Sequence, residues 1–147
     1  MLWSMFRRRR LADEAWRHLA DLYRVAFFLV GDQSIAEELI ENVYAYVHRN
    51  RRAMANDKRL RTEMVRLLLS RAESIPPIHP EAGQSSELAA LSRLPYPLRM
   101  PLVLDAIRMD AAEIAAATGL GTLEVIARQQ IGWDLLCEAF SDSVTSC

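Results

Sequence analysis

A chain of 147 residues that is 51% apolar is long enough to bury a core and too apolar to be a disordered tail. The formal net charge of −1 hides an asymmetry: residues 1–75 hold 14 Lys and Arg against 10 Asp and Glu (+4), and residues 76–147 hold 4 against 9 (−5). The two cysteines, Cys137 and Cys147, make no disulfide framework, and no apolar stretch approaches the roughly 20 residues of a membrane span, so a cytoplasmic protein is expected.

The chain opens with Met1 to Arg10, in which a short apolar run precedes four arginines, the reverse of a secretory signal. Residues 1–12 read as a loose basic arm. Helical spacing starts at Asp13, where Trp16, Leu19, Ala20, Tyr23, Ala26, Phe27 and Val30 form a stripe, and Gly31-Asp32 stops it. Ser34, with Glu37 three residues on, predicts a capping box for a second helix. The inward face of that helix is Ala36, Leu39, Ile40, Val43, Tyr44 and Val47. Tyr44 and Tyr46 lie two apart, so Tyr46 is expected outside. A third helix from Asp57 carries Leu60, Met64, Leu67 and Leu68 as far as Ser74. Three prolines, a glycine and polar residues fill 75–86, which reads as a linker between helical domains at 13–74 and 87–140.

The second half restarts at Glu87 to Leu94 and breaks at Pro95. A regular helix is expected from near Pro101 to Ile107, because Pro101 one turn inside a helix would lose a hydrogen bond. In the segment from Met109 to Leu120, Asp110 and Glu113 predict a capping box, Ile114 and Ala117 face inward, and Gly119 supplies a left-handed terminus. Thr122 can cap a following helix whose apolar positions are Leu123, Ile126, Trp133, Cys137 and Phe140, with Gln130 the exception. This is a helix-turn-helix pattern. Residues 141–147 form a polar tail. No strand or hairpin signal occurs, so the fold class is all-α: a three-helix bundle, a proline-rich linker and a helix-turn-helix.

Several groups are candidates for contact. Arg49, Arg51, Arg52, Lys58, Arg59 and Arg61 form a basic cluster suited to nucleic acid, or a solvated helix end. Glu37, Glu38, Glu41 and Asn42 form an acidic face suited to a partner, or the wet side of an amphipathic helix. Trp133 is expected in the core. The histidines are too scattered for a metal, and no phosphate loop or nucleophile motif occurs, so neither a cofactor nor catalysis nor a small-molecule substrate is expected.

These motifs carry a resemblance. Leu22-Tyr23-Arg24, Leu29, Gly31-Asp32, Ala36 to Ile40 and Val43-Tyr44 resemble the second conserved region of bacterial sigma factors of the extracytoplasmic-function type. Ala89 to Pro95, Leu102 to Leu104, Asp110 to Ala115 and Thr118-Gly119 resemble the fourth region. The matches cover most of 16–50 and 88–122, in the family's order. The resemblance implies that the face around Glu37, Glu38, Glu41 and Asn42, with Arg24 nearby, docks on core RNA polymerase. It implies that the next helix melts the promoter, and that Thr122 and Arg128 lie on the helix that reads DNA. The chain departs from the pattern on these surfaces. Glu63 stands where the melting helix usually has Trp, Ser70 where it has Asn, and Arg128 faces Glu124, Asp134 and Glu138 in a helix normally rich in Arg and Lys. The turn is two residues short of the usual form.

Three functions follow as expectations: a divergent sigma factor directing polymerase to promoters, a sigma mimic that binds an anti-sigma factor or polymerase without reading DNA, and a dimeric helix-turn-helix regulator. Opposite charge on the two halves also predicts a closed arrangement, with the basic half against the acidic one.

Overall fold

The computed structural model describes residues 13–54, 59–76 and 86–141, and the regular structure among them is helical. Expectations for the arm 1–12, for Lys58, for most of the linker and for residues 142–147 lie outside the described residues. Residues 13–17 are helical and lead through a turn at His18 into α1, Leu19–Val30. Then follow α2, Gln33–Arg49; α3, a single turn, Arg51–Met54; and α4, Leu60–Ala72. The second half holds α5, Ser86–Arg93; α6, Tyr96–Ala106; α7, Ala111–Thr118; and α8, Thr122–Ser141.

Local chemistry sets the helix ends. Gly31 and Gly119 sit in the left-handed region (φ 74° and 78°), and their N–H groups close α1 onto Phe27 and α7 onto Ala115. The expected capping box on α7 is present: Glu113 N donates to Asp110 Oδ1 at 2.8 Å, and Asp110 N donates to Glu113 Oε1 at 3.4 Å. The cap of α2 is not Ser34 but Asp32, whose carboxylate accepts from Ile35 N at 2.9 Å. Thr122 is the first residue of α8 rather than its cap, since Val125 N bonds to Gly121 O. Pro101 lies inside α6, which starts at Tyr96. The hydrogen bond that Pro101 cannot make is tolerated because α6 is held by burial of Met100, Leu102, Val103 and Leu104. Buried Arg99 ties α6 to the end of α5 by donating to Leu94 O at 2.9 Å. Cys137, expected to be unpaired, is disulfide-bonded.

Helix α1 is the centre of the fold. It packs on α2 and α4 from its own half and on α5 and α6 from the other. That explains why a single stripe did not describe it: Leu22, Val25, Ala26, Leu29 and Val30 are buried, while Trp16 is 63% exposed and stacks on Tyr44 at 5.5 Å. The predicted face of α2 is buried, apart from half-buried Tyr44, whose hydroxyl donates to Ala15 O. Tyr46, expected outside, is half-buried against the core. One apolar cluster runs from Ala15 through α1, α2, α4, α6 and α7 to Val125 of α8, so both halves share it.

The face of α8 also differs from expectation. Val125, Gly132 and Leu136 point inward, and Leu123, Ile126 and Trp133 point out. Apolar residues occur all round this helix, so hydropathy alone does not choose a face. Gly132 chooses it: a Cβ there would come within 2.8 Å of Leu102 Cδ1 and 3.3 Å of Leu98 O, so α8 and α6 approach closely only along that seam. Leu102 and Leu136 join Ala90 and Leu94 in a second small cluster beneath it. Gly132→Leu is therefore expected to force α8 off α6 and lower stability by about 1–3 kcal/mol, the usual cost of overpacking. Urea unfolding would measure this, and an unchanged midpoint would refute the close seam.

Candidate contact surfaces

Two expected surfaces are formed and exposed. Along α2, Glu37, Glu38, Glu41 and Asn42 all face solvent within about one and a half turns, and Arg24 of α1 is exposed as well. Glu37 also accepts from Gln33 Nε2 at 3.1 Å. At the other end of α2, Arg49, Arg52 and Arg59 are exposed, and Arg51 is half-buried with Nη1 donating to His48 O at 3.1 Å. The acidic face thus lies in the first half of α2 and the basic cluster at and beyond its C-terminal end, about 10–18 Å apart along the axis at 1.5 Å per residue.

Arg61 is not part of that basic end. It lies between the halves, where Nη2 donates to Glu113 Oε2 at 2.8 Å, and Nη1 donates to Ile107 O at 3.4 Å and sits 3.7 Å from Asp21. Glu113 thereby does two jobs, capping α7 and anchoring Arg61. Arg66, which sequence reasoning passed over, bridges in the same way: Nη2 donates to Ala116 O at 2.7 Å and Nη1 to Glu63 at 2.6 Å. Glu63 is therefore the partner that holds Arg66 in place. Tyr96 Oη adds a bond to Leu69 O at 3.3 Å, and burial pushes its phenol up to about 12. The signal for this seam was the opposite charge of the halves. Which arginine would serve it was not visible, because Arg59, Arg61 and Arg66 look alike in sequence.

Arg128 is paired to Glu124 at 2.9 Å and half-buried, and Thr122 is exposed at the start of α8. Arg128, Arg66, Tyr96, Leu69, Met100 and Leu120 line a groove of about 290 Å³ where α4, α6, α7 and α8 meet. Among the described residues, no group of three or more His, Cys, Asp or Glu is placed to hold a metal, and no helix is long and apolar enough to cross a membrane.

Two predictions follow from the seam. Arg61→Ala should lower stability by about 1–2 kcal/mol, more than a typical surface pair, because it empties a partly buried three-partner site. The difference from the parent should shrink in 1 M NaCl, where exposed ion pairs are screened. His18 lies close by, and burial, reinforced by the Arg61 charge, lowers its imidazole below the ordinary 6.5 against the opposing pull of Asp21 and Glu14. The unfolded chain then takes up that proton more readily than the folded one. Stability that is full above pH 6.5 is lost as pH falls through that value. A urea series from pH 7.5 to 5.5 should show this fall, and His18→Gln should flatten it.

No protein-family model matches the chain, and no curated protein matches it in sequence. Among solved structures, it is similar to the sigma factor RpoE of Bartonella quintana, which was solved in complex with the anti-sigma factor NepR. The TM-score is 0.74 and the identity 16%, over 90% of this chain and 98% of that one. At that identity the likeness is one of fold, and it spans both halves rather than a single motif. The chain has the all-α fold of a sigma factor.

Proposed function

We propose that this protein is a divergent sigma factor of the extracytoplasmic-function type, which binds core RNA polymerase and directs it to promoters. The observation that carries the reading is the likeness of fold across both halves, in order, to a solved sigma-factor chain. The exposed face of Glu37, Glu38, Glu41 and Asn42, beside Arg24, is suited to dock on polymerase. The basic end formed by Arg49, Arg51, Arg52 and Arg59, together with Lys58 in sequence, is suited to the promoter backbone, where each neutralised phosphate adds salt-dependent affinity. Arg61 is not part of that end, because Glu113 and Ile107 of the other half hold it.

A second reading is favoured by the acidic second half. A sigma mimic would keep the fold and the protein-binding faces and bind an anti-sigma factor or polymerase without reading DNA. The first turns of α8, the position of a DNA-reading helix, expose Thr122, Leu123, Glu124 and Ile126, and Arg128 is already paired. One such arginine would supply at best a single base contact of about 1–3 kcal/mol. The dimeric helix-turn-helix reading has the least support, because it depends wholly on that helix.

Affinity purification of the tagged full chain from its native cell in mild salt separates the readings. Core RNA polymerase in the eluate, lost with Glu37→Lys plus Glu41→Lys, is expected for a sigma factor. A small anti-sigma protein without polymerase would mark the mimic, and neither partner would refute both. For DNA, Arg49→Ala, Arg51→Ala and Arg52→Ala together should weaken duplex binding and shallow its salt dependence by up to about 3 in log–log slope, while Arg128→Ala should leave both unchanged. Electrophoretic shifts at two salt concentrations would measure this.

A further inference from the structure

The groove where α4, α6, α7 and α8 meet is walled by both halves of the chain: Arg66, Leu69 and Glu73 come from the first, and Tyr96, Met100 and Arg128 from the second. Its floor is apolar, built on buried Leu69 and Met100, while its more exposed walls carry two guanidinium groups and one carboxylate. Arg66 and Glu73 are seven residues apart, two turns of α4, so the cation and the carboxylate of that wall lie about 10 Å from each other on one face. A guanidinium carries five N–H donors. Arg128 spends its Nε on Glu124, and its Nη1 and Nη2 make no hydrogen bond among the described residues. Arg66 gives one proton of Nη1 to Glu63 and one of Nη2 to Ala116 O, and keeps its other donors. Neither Glu63 nor Glu124 lines the groove, so both cations are held from outside it with donors to spare. The hydroxyls of the groove have none left: Ser70 donates to Leu67 O, Thr118 to Ile114 O and Tyr96 to Leu69 O.

Size and charge then decide the occupant. One turn of helix, about 10 Å across and 5.4 Å long, fills about 400 Å³, so a groove of about 290 Å³ is too small for a partner helix or a duplex. It falls at the low end of small-ligand pockets, which start near about 300 Å³. A polyphosphate gains little there, because each arginine already shares its charge with a glutamate and Glu73 stands on the same wall. A single carboxylate is bound by hydrogen bonds rather than by long-range field, and the paired Nη groups of an arginine match its two oxygens. An apolar body attached to that carboxylate covers the floor and leaves water. The Met100 thioether and the Tyr96 ring favour an aromatic body over an aliphatic one.

We propose that this groove is a binding site for a small aromatic monocarboxylate, its carboxylate forked by Arg128 with Arg66 beside it, and its ring on Leu69, Met100 and Leu120. Residues of both halves hold the molecule, so it stabilises the contact between them by mass action and makes the seam responsive to its concentration. The site is separate from the α2 face and from the basic cluster, and the inference holds whichever partner those surfaces take.

The test uses the purified full chain labelled with ¹³C-methyl methionine, with 2-naphthoate as the probe and 2-naphthalenemethanol as its uncharged counterpart. The Met100 methyl signal, assigned from Met100→Leu, should move by ring current and saturate as naphthoate is added, and the alcohol should bind about tenfold more weakly or worse. Arg128→Gln keeps a polar side chain but loses the fork, and should weaken naphthoate binding by about tenfold or more with the helical circular dichroism unchanged. Ser70→Phe, on the exposed side of α4, should fill the groove and abolish the shift. Saturating naphthoate should raise the urea midpoint of the parent and leave that of Ser70→Phe where it was. No saturable Met100 shift, equal binding of the alcohol, binding indifferent to Arg128→Gln, or displacement by an equal concentration of inorganic phosphate would each overturn the proposal. So would equal shifts at Met54, Met64 and Met109, which lie outside the groove. None of these readouts involves polymerase, an anti-sigma factor or DNA, so failure here and failure of the sigma-factor reading give different results.

Discussion

The structure depends on one central helix being apolar on nearly all sides. Helix α1 cannot be covered by its own half: α2 and α4 bury part of it, and α5 and α6 from beyond the linker bury the rest. Each additional Leu or Val side chain removed from water contributes about 1.5–3 kcal/mol, whereas a partly exposed ion pair contributes about 0–1. Apolar burial therefore closes the two halves, and the charges decide how they are aligned. Arg61 and Arg66 act in that second role. Each reaches from α4 to a fixed acceptor at α7 or just before it, so α7 meets α4 in one register.

The same contacts sort the cations of the chain by what they can still do. Arg61, Arg66 and Arg128 are engaged by carboxylates, and Arg61 and Arg66 also by backbone carbonyls. Arg49 and Arg52, by contrast, are exposed at the C-terminal end of α2 and in α3, beside Arg51, which donates to His48 O. A second half with a net charge of −5 could not attract DNA by long-range field in any case. Its net charge favours a basic partner over an anionic one.

Features that depend on neighbours in the chain were legible from sequence. The capping box of Asp110 and Glu113, the left-handed stops at Gly31 and Gly119, and the inward face of α2 each arise within one or two turns, and each is present. Near misses arose where two local solutions compete. Asp32 outranked Ser34 as a cap because its carboxylate reaches Ile35 N from extended backbone. Pro101 stayed inside α6 because burial outweighs one lost hydrogen bond.

The sequence by itself determined an all-helical chain, most of its helix ends and the opposite signs of its halves, because these follow from local hydrogen bonding and composition. Only the tertiary structure decided that α1 is covered from both halves, that Arg61 serves the seam rather than the basic surface, and that Trp133 faces solvent. The reason is physical. Helices with apolar residues on several sides, such as α1 and α8, have no single preferred face until another backbone approaches, and for α8 the approach is set by a side chain that is absent. At Gly132 the missing Cβ, which hydropathy cannot register, turned α8 on its axis and set which of its residues face solvent.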